Sequence, residues 1–126
     1  MLDAERMPTR RLKPLHPAHN RELLQRLTAA MKAHGWIGKP LLGWEAADGD
    51  VRLFTGSYRY AAAKEAGVEP PVALVEIPDG ILEADDEELR INGAQVLHDD
   101  EIESLLEDHD PDAVALFRED RREAEA

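Results

Sequence analysis

The chain passes from a short strand into a helix within a few residues, and this junction constrains its fold more than any other feature. An apolar run at 51–54 is followed by a Thr-Gly-Ser turn and then by an alanine-rich stretch at 57–66. An Asp-Gly pair at 48–49 separates the run from a second apolar segment at 40–44, which predicts a β-hairpin. A hairpin that leads directly into a helix indicates a mixed α/β fold.

A further helix is predicted before the hairpin and a further strand after the second helix. Asn20 is a suitable N-cap, apolar residues then recur at helical spacing as far as Met31, and Gly35 supplies a stop. Gly67 ends the alanine-rich helix, and the apolar run at 71–77 is typical of a strand. The order helix, strand, strand, helix, strand predicts a small mixed-sheet α/β (α+β) domain.

Charge divides the chain into two parts. Residues 1–75 hold 11 Lys and Arg against 8 Asp and Glu, whereas residues 76–126 hold 4 against 19. The spacing of leucines and valines in the second part predicts acidic helices with apolar faces, frayed at the C-terminal end. We therefore predict a domain over residues 1–80 and an acidic helical extension over residues 81–126. The proline-rich and basic first 18 residues predict an extended arm with one short strand.

Composition excludes several functional classes. The sequence contains no cysteine, which excludes disulfides, thiolate metal sites and cysteine nucleophiles. No run of about 18 apolar residues occurs, and the polar start does not resemble a signal peptide. The five histidines form no metal-binding pattern of the His-Glu-x-x-His kind. We expect a cytoplasmic protein without a membrane segment.

The strand-to-helix junction is also a candidate phosphate site. The first amides of a helix lack intrahelical acceptors, and the helix dipole favours an anion there. Arg59 lies in this first turn, where a cation opposes the dipole unless an anion is bound. Lys39, in the glycine-containing loop 35–40, is expected to point at the same phosphates, and Trp36 either stacks on a base or belongs to the core. The alternative is an ordinary helix start with Lys39 solvated.

Several short motifs follow one another in an order that has a known counterpart. They are a Pro-x-x-Asn element (Pro17, Asn20), a helix ending at Gly35, a segment from Gly35 to Pro40, the box Gly56-Ser57-Tyr58-Arg59-Tyr60-Ala61-Ala62, the Gly67 stop and a strand at Pro71-Val72. With this set, residues 15–77 resemble the ParB/sulfiredoxin-like superfamily, which comprises the N-terminal domain of ParB partition proteins and small enzymes of the same fold. The resemblance implies a pocket for a nucleotide triphosphate, CTP or ATP, bound with Mg²⁺.

The resemblance also implies which residues form this pocket. The implied phosphate and nucleotide contacts are Gly56, Ser57, Tyr58, Arg59, Lys39, Gly38 and Trp36. Magnesium would arrive with the nucleotide and be contacted by Asn92. Ser57 and Tyr58 replace the Glu and first Arg of the Gly-Glu-Arg-Arg box of ParB proteins, so one phosphate-binding cation is missing. Ser57 also replaces the catalytic cysteine of sulfiredoxins, which excludes their chemistry because a serine hydroxyl is not a thiolate.

Three functions are compatible with these features. The first is a nucleotide-binding ParB-like domain, either a nucleotide hydrolase or a regulator of a DNA-linked process, although the sequence shows no general base and leaves enzymatic activity open. The second is a non-catalytic interaction module whose acidic helices bind a basic protein, mimic a nucleic acid, or fold back over Arg59 and Lys39. The third is a ParB-like nuclease, which the negative charge disfavours because DNA would be repelled.

Overall fold

The structure, a computed structural model, describes residues 3–14, 18–78, 81–84, 89–91, 95–96 and 99–125. Its elements are, in chain order, β1 (Ala4–Arg6), a 3₁₀ turn (Thr9–Arg11), β2 (Leu12–Lys13), α1 (Arg21–His34), β3 (Leu41–Glu45), β4 (Val51–Leu53), α2 (Ser57–Ala66), β5 (Pro71–Leu74), β6 (Leu82–Ala84), β7 (Leu89–Ile91), β8 (Gln95–Val96), α3 (Asp99–His109), a second 3₁₀ turn (Pro111–Ala113) and α4 (Val114–Glu125). The α+β class predicted from the sequence is confirmed.

Five strands form the main sheet in the order β1-β5-β3-β4-β2. The central strand β3 pairs antiparallel with β4, as the Asp-Gly pair predicted, and parallel with β5. The N-terminal segment contributes both edges, since β1 pairs with β5 and β2 with β4. The prediction of one short strand in this segment was therefore incomplete. It missed β1 because three exposed residues leave no apolar pattern to detect.

The helix ends follow the residues that predicted them. The Oδ1 atom of Asn20 accepts a hydrogen bond from the amide of Leu23 at 3.1 Å, which caps α1. Gly35 and Gly67 follow α1 and α2 with φ angles of 82° and 73°, a region that favours glycine. Both predicted helices are confirmed.

Two helical layers cover the two faces of the sheet. Side chains alternate along a strand, so that Leu41 belongs to the face beneath α2, on which α1 packs, whereas Leu42 belongs to the face beneath α3 and α4. On the second face, Phe54 of the sheet and Phe117 of α4 lie in one buried cluster. The acidic C-terminal helices therefore bury apolar residues against the same sheet that carries the candidate site.

The segment that precedes α3 differs from the prediction. Where acidic helices were expected from residue 81 onward, β6, β7 and β8 form a small antiparallel sheet, in which Leu82 lies opposite Ile91. The helical prediction holds from Asp99 onward, and α4 continues to Glu125 rather than fraying from residue 119. Strands of two or three residues are too short for periodicity to reveal, because so few positions cannot distinguish an alternating pattern from a helical one.

Candidate functional site

The candidate site begins where the chain leaves the sheet and enters α2. Gly56 precedes the helix with a φ angle of 77°, in the left-handed region. A Cβ atom added there would lie 2.2 Å from Cδ2 of Leu41, so a larger residue would be both strained and obstructed. The carbonyl of Gly56 accepts the amide of Tyr60 at 2.8 Å, which closes the first turn of the helix. The amides of the first turn of a helix point towards its start, where the helix dipole favours an anion.

The side chain of Arg59 joins this helix start to the loop 35–40. Its Nη1 donates to the carbonyl of Lys39 at 2.6 Å and to that of Ile37 at 3.4 Å. Its central carbon lies 5.1 Å from the centroid of the Trp36 ring, within the range of a cation–π contact. Arg59 therefore holds the loop in place as well as bringing positive charge to the site.

Two glycines allow the guanidinium to approach the backbone on both sides. A Cβ added to Gly38, whose φ angle is 90°, would lie 2.8 Å from Nη1 of Arg59. A Cβ added to Gly56 would lie 3.6 Å from Nη2 of the same side chain. The indole nitrogen of Trp36 donates to the carbonyl of Gly38 at 3.0 Å, which further orders the loop. The guanidinium thus lies between the loop and the helix start.

The structure brings most of the predicted residues together. Trp36, Gly38, Lys39 and Gly56 all surround the guanidinium of Arg59. Trp36, for which stacking and core packing were the alternatives, is half-buried and packs against the hydrophobic clusters on the α1–α2 side of the sheet while it faces Arg59.

The remaining predicted residues have different positions. The hydroxyl of Tyr58 accepts a hydrogen bond from the backbone amide of Asn20 at 2.9 Å. Tyr58 therefore ties the start of α1 to the start of α2. Ser57 is the first residue of α2 and is half-buried. Asn92, the predicted magnesium contact, lies outside the described residues.

A residue of the acidic extension also reaches the site. The ammonium of Lys39 forms a salt bridge with the carboxylate of Glu119 on α4. The two side chains are 57% and 36% exposed, so solvent reaches the pair. Glu119 was not among the predicted site residues. The sequence pointed to it only through the general hypothesis that the acidic extension folds back over the basic residues. A contact between residues 80 positions apart leaves no local pattern in the sequence.

The arrangement suits an anion rather than a metal ion. A guanidinium, an ammonium and the first amides of a helix all favour bound oxygen anions. Burial raises the pKa of Tyr60, which belongs to the same helix, and the charge of Lys13 opposes this rise. The Tyr60 hydroxyl therefore stays protonated at neutral pH. Within the described residues no group of three or more His, Asp or Glu side chains could hold a metal ion.

A second feature, which we call the acidic groove, lies beside β5 and the end of α3. It consists of two adjoining cavities of about 450 and 690 Å³, both of which are lined by Leu74, Glu76 and His109. The carboxylates that line them are Asp3, Glu5, Glu45, Glu76, Asp108, Asp110 and Asp112. Asp110 Oδ2 accepts the amide of Glu76 at 3.1 Å, which joins the two sides of the groove. The C-terminal end of α3 adds further negative potential.

Comparison with solved structures identifies the fold. The C-terminally truncated chromosome-partitioning protein ParB from Caulobacter crescentus, solved in complex with CTPγS, matches with a TM-score of 0.52 and 23% sequence identity. The match covers 60% of this chain and 46% of that one. A conserved hypothetical protein from Pyrococcus furiosus matches with a TM-score of 0.52 and 17% identity, over 63% of this chain and 35% of that one.

These matches show a ParB-like fold, as the resemblance in sequence implied. The matched region spans less than half the length of either solved chain, and at these identities the likeness concerns the fold alone. No protein-family model matches the sequence, and no curated protein is recognisably similar to it. In the part of the chain that the structure describes, no helix is both long enough and apolar enough to cross a lipid bilayer.

Proposed function

We propose that this protein is a nucleotide-binding ParB-like domain. The phosphates would bind at the start of α2 beside the loop 35–40. The observation that carries this proposal is the Arg59 guanidinium between Gly38 and Gly56, at the positive end of a helix. The ParB structure of the same fold was solved with a CTP analogue, which supports a nucleoside triphosphate as the ligand class.

Each residue of the site has a proposed role. The backbone amides at the start of α2, among them those of Ser57 and Tyr58, would bind phosphate oxygens, since the helix dipole favours an anion at this end. Arg59 keeps the loop close to these amides and contributes charge, and Lys39 adds a second cation on the loop side. The ring of Trp36 forms a wall of the site beside the guanidinium. We further propose that Mg²⁺ enters with the nucleotide, CTP or ATP, and that Asn92 contacts it.

Binding is proposed without a specific reaction. The seven site residues include no carboxylate or imidazole that could act as a general base, so hydrolysis would need a group outside this set. A regulatory role in a DNA-linked process is consistent with the likeness to a chromosome-partitioning protein. Phosphate release in the presence of Mg²⁺ and each nucleotide distinguishes a hydrolase from a binding domain.

The test is a titration of CTP, ATP and GTP, each with Mg²⁺, against the wild type and Arg59→Ala. Loss of a charge-assisted hydrogen bond costs about 1.5–3 kcal/mol, so we expect affinity for the preferred nucleotide to fall by about 10- to 150-fold. Arg26→Ala is the matched control, because Arg26 is exposed on α1. Equal weak binding by the wild type and Arg59→Ala would remove the proposal. Circular dichroism checks that the Arg59 variant remains folded.

The acidic groove favours a second candidate function, the binding of a basic protein segment. Among the residues that line it, seven are carboxylates and only His109 is basic. Apolar residues such as Leu74 and Trp44 lie beside them and can contact the aliphatic stems of lysine or arginine. This candidate is an interaction module, as in the second hypothesis from the sequence, but of the groove carboxylates only Asp108, Asp110 and Asp112 come from the acidic extension.

A lysine-rich peptide is the probe for this second function. We expect Asp108→Asn combined with Asp112→Asn to weaken its binding, and the effect should shrink at high salt. Glu22→Gln on α1 is the control for a general change of charge, since Glu22 lies away from the groove and is exposed. Equal binding by all three proteins would exclude the acidic groove as the interaction site.

A further inference from the structure

Three consecutive side chains of helix α4 point in three different directions. Phe117 is 1% exposed and packs in the cluster that contains Leu42 and Phe54 of the sheet. The guanidinium of Arg118 donates to Glu103 at 2.6 Å and to Glu107 at 2.8 Å, both on α3. Successive residues of a helix are about 100° apart. The packing of Phe117 therefore fixes the rotation of α4, and this rotation directs Arg118 towards α3.

This rotation presents the third side chain, Glu119, to the candidate site. Its carboxylate pairs with the ammonium of Lys39, whose own carbonyl accepts the hydrogen bond from Arg59. One residue of the loop is thus bound to α2 through its backbone and to α4 through its side chain. A carboxylate carries the same charge sign as a phosphate and uses the same kind of acceptor oxygen.

We propose that Glu119 is an internal competitor for the phosphate of the nucleotide, an inference that rests on the proposed function. In the unliganded protein its carboxylate forms a salt bridge with the ammonium of Lys39. When a nucleotide binds, phosphate oxygens replace the carboxylate, and the Glu119 side chain turns into solvent while Phe117 keeps α4 seated. The acidic extension thereby lowers the affinity of the site.

The expected effect is small because the pair is exposed. Salt bridges between exposed side chains contribute little and are screened by salt. Glu119→Gln keeps the shape of the side chain and removes its charge. We expect it to tighten the binding of CTP with Mg²⁺ to the full chain by about two- to fivefold at about 50 mM NaCl, and to have no effect at about 500 mM NaCl.

Glu107→Gln is the matched control. Glu107 is 52% exposed and pairs with Arg118 rather than with Lys39, so its substitution removes the same charge without freeing the candidate site. We expect CTP affinity to stay at the wild-type value. Tightening by both variants would show a general effect of net charge and would overturn the inference.

A double variant separates competition from other causes. Lys39→Met is expected to weaken CTP binding about tenfold, since it removes a cation from the site. If Glu119 acts through Lys39, adding Glu119→Gln to Lys39→Met changes nothing further. An unchanged affinity for Glu119→Gln alone, with CTP still bound by the wild type, overturns competition and leaves the proposed function standing. Failure of the wild type and Glu119→Gln to bind CTP, ATP or GTP overturns both.

Discussion

Helix α2 covers one face of the sheet with α1 packed on it, and α3 and α4 cover the other face, but different forces fix these two layers. The first layer begins and ends at residues with local capping roles, such as Asn20 and Gly67. The second layer depends on packing: Ile102, Leu106 and Phe117 are at most 1% exposed against the sheet. Local capping signals define the ends of the helices in the first layer. The position of the second layer depends on the apolar face that the sheet offers it.

The two layers also differ in the ligands that they favour. A guanidinium and a helix start lie on the side of the first layer, while seven carboxylates line the acidic groove, where the end of α3 meets the edge of the main sheet. The Lys39–Glu119 salt bridge is a point at which the layers meet through opposite charges. Four predictions test how far the difference between the layers extends, beginning with the largest effect.

Removal of the second layer should abolish the fold. Deletion of residues 99–126 exposes apolar side chains of the sheet that are now buried, including Leu42, Phe54 and Val75. Because a small domain needs most of its buried area to remain stable, we expect an unfolded or aggregated product. Circular dichroism and analytical ultracentrifugation measure the outcome.

A folded, monomeric product of this deletion would show that the first layer is sufficient. It would also support the predicted division of the chain into a domain at 1–80 and an extension at 81–126. A fragment of residues 1–80 is the stricter version of this test.

Within the first layer, two glycines with similar backbone angles should respond differently to substitution. Gly56→Ala combines an unfavourable φ angle with obstruction by Leu41, so we expect a loss of about 2–4 kcal/mol in the free energy of unfolding. Gly67→Ala has a similar φ angle but no heavy atom within 4 Å of the added Cβ, so we expect a loss of about 1 kcal/mol. Urea denaturation of both variants measures the difference, and equal losses would mean that obstruction contributes nothing.

Removal of a local cap should have a smaller effect. Asn20→Ala deletes the acceptor for the amide of Leu23, and we expect about 1 kcal/mol of destabilisation. Asn20→Ser keeps an acceptor and should retain most of the stability. Thermal unfolding of the wild type and the two variants measures this. If Asn20→Ala has the same melting temperature as the wild type, α1 is held by packing alone.

The smallest effect is expected at the surface of the second layer. Arg118→Met removes both salt bridges to α3, and exposed pairs of this kind contribute little to stability. The loss should decrease further as salt concentration rises. Urea denaturation at low and high salt measures it. A loss as large as that of Gly56→Ala would mean that charge, rather than packing, holds α4 in place.

Much of the first layer and of the site could be read from the sequence for a physical reason. Caps, turn glycines and the order of short apolar runs act over a few residues, so their consequences for α1, α2 and the hairpin are local. The same locality placed Gly56 and Arg59 together at a helix start. The ParB-like motif order then anticipated a fold that the comparisons show.

Other features were decided by the tertiary structure. The strand β1 and the Lys39–Glu119 pair join residues that are distant in sequence, and only the assembled backbone determines which partners meet. The strands of the small sheet β6–β8 are near one another in sequence but are too short to leave a periodic pattern. The contact of Arg59 with the carbonyls of the loop is of the same kind. Local chemistry determined where helices begin and end, whereas the packing of two layers on one sheet determined which charges face each other.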